Sequence, residues 1–102
     1  MMRQGDVLIV PVKKIPKGNR VGCDRDRGRL ILAHGEATGH AHAIASPNAS
    51  LFEVAGKVYL SVDGDCVTLD HEEHAKITLP RGDYEIIRQR EYSPEEIRNV
   101  AD

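Results

Sequence analysis

Cysteine is scarce in this chain: of 102 residues only Cys23 and Cys66 carry a thiol. They lie far apart and form no Cys-x-x-Cys pair, so neither a disulfide framework nor a thiolate zinc knuckle is expected. Free thiols in a reducing cytosol are the simplest account. Long apolar runs are missing as well. The opening "MMRQGDVLIVPV" has one positive charge, a short apolar stretch and a proline, too little for a signal-peptide core or a membrane span. A soluble, cytoplasmic protein is therefore expected. No one sign of charge prevails either. Fourteen Lys plus Arg stand against sixteen Asp plus Glu, a net charge of −2, which exerts no general pull on nucleic acid or an anionic membrane. Basic residues do gather locally, at Lys13, Lys14, Lys17, Arg20, Arg25, Arg27 and Arg29. Asp24 and Asp26 interrupt them and no aromatic accompanies them, so a solvated loop face is favoured over a nucleic-acid surface. There is no internal repeat and no low-complexity tract. The length suits one domain, 1–102, with room for a modest core and one site.

What is present is a short, two-residue periodicity, the signature of strands. "DVLIVPV" is an apolar run containing Pro11, which suits an edge strand or a bent one. "KKIPKGNRVGCDRDRG" reads as a long exposed loop. "RLILAH" sets Leu30, Leu32 and His34 on one face, and "HAHAIA" does the same for His40, His42 and Ile44. "LFEVAGKVYLSV" predicts a hairpin turning at Ala55-Gly56-Lys57. "DGD" at 63–65 and Pro80-Arg81-Gly82 read as further turns. Only the end looks helical: Ser93-Pro94-Glu95-Glu96 offers an N-cap, a proline at the first helical position and a capping-box glutamate, giving a short helix over about 94–101. The expected fold is all-β, a small antiparallel β-barrel or sandwich of about seven or eight short strands with this C-terminal helix.

Candidate chemistry resides in the histidines. On a strand, His40 and His42 project from the same face about 6.5–7 Å apart along the chain, a usable spacing for two ligands of one metal. His34 reaches them only if "GEATG", with glycine at each end, turns the chain back as a hairpin loop. All three extend apolar faces, as His71 extends that of Val67 and Leu69. The second cluster, "DHEEH" from Asp70 to His74, is neither HExxH nor HxxEH and no helical pattern surrounds it, which argues against zinc-protease chemistry. A strand end followed by a turn still presents His71 and His74 together. The expected ligands are His40, His42, His71 and His74, with His34 as a further candidate. Imidazoles with one or two carboxylates suit Zn, Fe, Mn, Ni or Cu. Glu36, Glu72 and Glu73 are the carboxylates placed to ligate or to act as a general base in catalysis. The sequence also implies that "HGEATGHAHAI" faces Asp70 to His74.

Taken together, "RQGDVLIVPV", "HGEATGHAHAI" and "HEEHAKITLPRGDYEIIRQREY" resemble a group of short bacterial and phage-encoded proteins that carry no established function. The resemblance covers most of the chain and implies no activity. His40-Ala41-His42 following Gly35, with Pro80-Arg81-Gly82 downstream, is also weakly similar to the motifs of cupins, which implies a metal inside a barrel. Two departures stand against it: no glutamate follows His42 within the motif, and His71 and His74 precede the Pro-x-Gly turn. The opening "GDVLIVPVKKIPKG" is faintly similar to the start of co-chaperonin barrels, without their apolar mobile-loop tripeptide.

Three functional expectations follow. The first is a small protein that holds a divalent transition metal in its histidine cluster. With three ligands and an open position it would support metal-assisted hydrolase or lyase chemistry on a small molecule. The second is a non-enzymatic interaction or assembly module, phage-associated or a chaperone-like barrel. Its histidines would be structural, and the loop from Lys13 to Arg29 and "RQREY" (Arg88 to Tyr92) would contact a protein partner. The third keeps the histidines as acid–base groups or a pH switch without metal. Neither nucleic acid nor membrane is an expected partner, and the sequence leaves self-association into a homo-oligomer open.

Overall fold

The computed structural model describes residues 1–34 and 39–88, all strand and loop. Glu36 and the helix expected over about 94–101 lie outside the described residues. The described residues form eight strands: β1 (Met2–Gln4), β2 (Val7–Val12), β3 (Val21–Gly22), β4 (Leu30–His34), β5 (Ala41–Ile44), β6 (Ala49–Val54), β7 (Lys57–Leu69) and β8 (Ile77–Arg88). Six form one antiparallel sheet in the order β1-β2-β8-β7-β6-β3, and β4 and β5 form a separate two-stranded ribbon. The all-β expectation holds. The barrel does not: among the described residues no ladder joins β1 to β3, so the sheet stays open. β4 and β5 pair with each other instead, and among the described residues β5 is joined to the sheet's backbone by the isolated bridge Ala43–Asp70.

The strand count agrees with expectation, but the partition differs. "DGD" and Pro80-Arg81-Gly82 are not turns between strands. They lie within β7 and β8, where Val62 pairs with Gly82 and Cys66 with Pro80, leaving Asp63–Asp65 opposite Arg81 alone. Gly64 takes a left-handed φ of 72° there, and Asp63 N–H turns to donate to Asn48 O at 2.7 Å. The turn chemistry is real. It produces a bulge rather than a reversal, because the segments on either side pair with the same neighbour. The β6–β7 hairpin forms as expected, with Ala55 and Gly56 both at positive φ (52° and 81°) in a two-residue turn whose backbone hand matches the strand twist. Pro11 sits in β2 opposite Tyr84, beyond the reach of β1, whose first residue, Met2, pairs with Ile9. The missing N–H is tolerated there because that side of the strand is an edge.

The alternating residues Val7, Ile9, Leu60, Val62, Val67, Leu69, Leu79 and Ile86 of the sheet share one core with Leu30, Leu32 and Ile44 of the ribbon. The ribbon thus covers one sheet face. Strand parity puts Phe52, Val54 and Tyr59 on the other face, where Ile15 covers them. The loop expected to be exposed throughout is therefore pinned in places: Ile15 is buried, β3 pairs with β6, and the Arg20 guanidinium lies 4.8 Å over the Phe52 ring. Among the described residues no helix is long and apolar enough to cross a membrane.

Candidate functional site

Two backbone segments meet where the ribbon joins the sheet. Ala43 N–H donates to Asp70 O at 3.0 Å and Asp70 N–H returns a bond to Ala43 O at 2.9 Å. One step away, Ala41 N–H donates to Glu72 Oε1 at 2.9 Å. His40 and His42, two residues apart at the start of β5, are thereby set beside the segment that follows β7. Four imidazoles converge. Ring centroids are 5.7 Å apart for His40 and His71, 4.3 Å for His42 and His71, 4.6 Å for His71 and His74, and 5.9 Å for His42 and His74.

His42 is the buried member, 2% exposed, and a residue that sequence reasoning passed over holds it. Gln4, at the end of β1, is equally buried. Its Nε2 donates to Leu69 O and to Ala75 O, both at 3.0 Å. Carbonyls only accept, so the amide has one workable orientation, with Oε1 facing His42 Nδ1 at 2.8 Å. The proton on that nitrogen must then belong to His42. In the neutral ring Nε2 is left with its lone pair, 3.5 Å from Asp6 Oδ1, an arrangement favoured when a proton or a cation lies between the two. The turn that carries Asp6 approaches closely. Gly5 has φ +59°, and a Cβ there would stand 2.8 Å from His74 Nε2 and 3.3 Å from His42 Cε1. A signal for these residues existed in the sequence. If Gly5-Asp6 is read as a two-residue turn, Gln4 pairs with Val7 and becomes a polar residue at an inward position.

The outer imidazoles are set by the Glu72-Glu73 pair. His71 Nδ1 accepts the Glu73 N–H at 3.0 Å, so neutral His71 carries its proton on Nε2. The Glu73 carboxylate, 65% exposed, is 3.5 Å from His40 Nδ1. The Glu72 carboxyl is held below the usual carboxylate range. The Ala41 N–H is the main cause, followed by its own backbone N–H and, more weakly, by His40 and His71. It is therefore an anion at neutral pH. His40, His71 and Glu72 each bring one donor atom to within 4.8 Å of the other two.

His34 lies apart from this group. The β4–β5 register shifts between Ile31 and Ala33, so Leu32 and Ala33 are both buried and His34 turns out to solvent. Ala33, not His34, stands opposite His42. His34 and His40 instead line a neighbouring cavity of about 210 Å³ with Asp26, Arg27, Arg29, Ile31, Gly39 and Ala41. A larger cavity, about 300 Å³ and with no histidine in its lining, lies between the β6–β7 turn and the end of β8. The Pro-x-Gly segment of the cupin similarity is part of a continuous strand and turns nothing toward the histidines.

Residues 3–89 match the family model described as Domain of unknown function (DUF8820). No curated protein and no solved structure matches the chain.

Proposed function

The chain belongs to the DUF8820 family, and from its site we propose that it binds one divalent transition metal, Zn, Fe, Mn, Ni or Cu, through His40, His71 and Glu72. His42 and His74 are the adjoining imidazoles. The single observation that carries this reading is the mutual approach of those three donors within 4.8 Å, on two segments tied by backbone hydrogen bonds. Metal bonds of about 2.0–2.2 Å to nitrogen and oxygen require the donors to draw in, which side-chain rotation on the exposed His71–His74 turn allows. Glu72 Oε1 accepts the Ala41 N–H, and its second oxygen is the one to ligate.

Two imidazoles and one ionised carboxylate leave a coordination position for water, which such an ion activates by lowering its pKa. Glu73, beside His40 Nδ1, supplies the carboxylate that orients a ligating imidazole. Hydrolysis or elimination on a small molecule is the chemistry this donor set serves.

Metal analysis of protein purified without a histidine tag tests the reading. The expected result is about one ion per chain, a thermal shift on adding Zn, Ni, Mn or Fe to stripped protein, and loss of both in His40→Ala and His71→Ala. A wild-type chain that takes up no metal and shows no shift refutes it and leaves the histidines as packing for an interaction module.

A further inference from the structure

The cavity beside the histidines has two arginines in its lining, Arg27 and Arg29. Its rim is the tight turn Asp26-Arg27-Gly28-Arg29, closed by Asp26 N–H to Arg29 O at 2.8 Å and Arg29 N–H to Asp26 O at 3.0 Å. Arg27 stands in this turn at φ 54°, next to Gly28 at 81°. Left-handed backbone costs a side-chain-bearing residue roughly 1–2 kcal/mol, so the turn keeps an arginine where glycine would be easier. Arg25 fixes the turn from behind. Its guanidinium donates to Gly28 O at 2.9 Å, Ser46 O at 2.8 Å and Ala49 O at 2.9 Å, which anchors the rim to the loop before β6. Three of the Arg25 guanidinium N–H groups are taken up in this way, whereas among the described residues the guanidinium groups of Arg27 and Arg29 have no hydrogen-bond or ion-pair partner. Both line the cavity with His34 and His40, and among the described residues Asp26 is the one acid there.

We propose that this cavity is a subsite for a phosphate group, held by Arg27 and Arg29 with His34 as a further donor and His40 at its edge. Guanidinium forks match tetrahedral oxyanions in pairs of N–H···O bonds, and two of them suit a dianion better than a monoanionic carboxylate. The volume, about 210 Å³, is below the roughly 300–1,000 Å³ of sites for drug-sized ligands, so it suits inorganic phosphate or the phosphate end of a small ester. His40 belongs both to this cavity and to the donor group of His71 and Glu72. A phosphate bound here therefore lies next to the metal position, and that link, though not the anion site itself, rests on the function proposed above.

NMR titration of the metal-stripped full chain tests the subsite at constant ionic strength, with inorganic phosphate, methyl phosphate, acetate and chloride as probes. Saturable shifts of His34 and His40 with phosphate or methyl phosphate, well beyond those with acetate and chloride, are expected; the tighter of the two identifies the free anion or the ester as occupant. Arg27→Gly suits the positive φ and preserves the turn, and Arg27→Gly with Arg29→Gln should weaken phosphate binding roughly tenfold or more while metal uptake stays at the wild-type level. A response to phosphate no greater than to chloride, or a double variant that binds phosphate as the wild type does, overturns the proposal. Phosphate binding in a chain that takes up no metal supports the subsite and refutes the metal reading alone.

Discussion

Replacing Gln4 by leucine tests whether one buried amide sets the state of the candidate site. Leucine removes two donors and one acceptor at nearly constant volume. Three partners lose their bonds: Leu69 O, Ala75 O and His42 Nδ1–H. Ala75 belongs to an exposed residue, and water replaces the amide there. Leu69 and His42 are buried, and each orphaned group costs about 1–3 kcal/mol. Added leucine burial returns about 1 kcal/mol, near the value of one buried methylene, so the net loss is about 1–5 kcal/mol, with a midpoint near 3. Domains of this size hold about 5–15 kcal/mol in all, so at the midpoint the variant stays folded, with a melting temperature lower by roughly 12–24 °C at about 4–8 °C per kcal/mol. Urea unfolding with an unchanged slope measures the loss. Side-chain nitrogen shifts of His42 provide the second readout: in the wild type the proton is fixed on Nδ1, and in Gln4→Leu the neutral ring redistributes it between the two nitrogens. Gln4→Glu serves as the comparison, because it keeps an acceptor for His42 but sets a carboxylate against two carbonyls. A loss below about 1 kcal/mol together with an unchanged His42 tautomer refutes the reasoning.

The Gly5 turn gives a second prediction. Gly5→Ala puts a Cβ 2.8 Å from His74 Nε2 at a positive φ, so it should cost about 1–2 kcal/mol and displace the His74 and His42 ring resonances; unmoved rings in a folded variant contradict the close approach. Ala55→Gly should raise stability by about 0.5–1 kcal/mol in thermal unfolding, because Ala55 holds a φ of 52° that glycine adopts freely. The thiols should differ. Burial, then Glu53, pushes the Cys23 thiol above its ordinary value, whereas Cys66 is exposed, so iodoacetamide should label Cys66 first at mildly alkaline pH; equal rates contradict this. The sign for stability follows. The folded state favours the neutral Cys23 thiol, so its contribution is complete below the ordinary thiol pKa and declines as pH rises from there to the raised folded value. Cys23→Ala should flatten that alkaline decline in stability.

Strand parity made much of this protein legible before its coordinates. His40-Ala41-His42 on one face and His71 beyond Val67 and Leu69 are consequences of a period of two, and the structure does bring these segments together. Parity fails where a ladder slips. One irregularity between Ile31 and Ala33 carries His34 out of the histidine cluster, and nothing in "RLILAH" announces it. Asp-Gly-Asp and Pro-Arg-Gly gave true signals for positive φ and for breaks in alternation, yet a turn and a bulge use the same residues. Only the neighbouring strand distinguishes them. Barrel closure was illegible for a related reason: which strands pair across long separations is decided by the whole sheet. Gln4 and Asp6 were legible only through the Gly5-Asp6 turn, because their role depends on a three-residue strand that composition alone does not reveal.

The Ala43–Asp70 bridge has a further consequence, for motion rather than structure. Among the described residues it is the backbone tie between ribbon and sheet, and the histidines sit on both sides of it. Local opening there would separate His40 and His42 from His71 and His74 before the sheet itself unfolds. Any ligand that spans the seam binds only the closed form and so acts as a latch. At a concentration about 100 times its dissociation constant it would deepen the closed state by about 2.7 kcal/mol. The amide hydrogens of Ala43 and Asp70 would then exchange with solvent about a hundredfold more slowly, and those in the middle of β7 and β8, which exchange through global unfolding, would slow by about the same factor because the unfolded chain does not bind the ligand either.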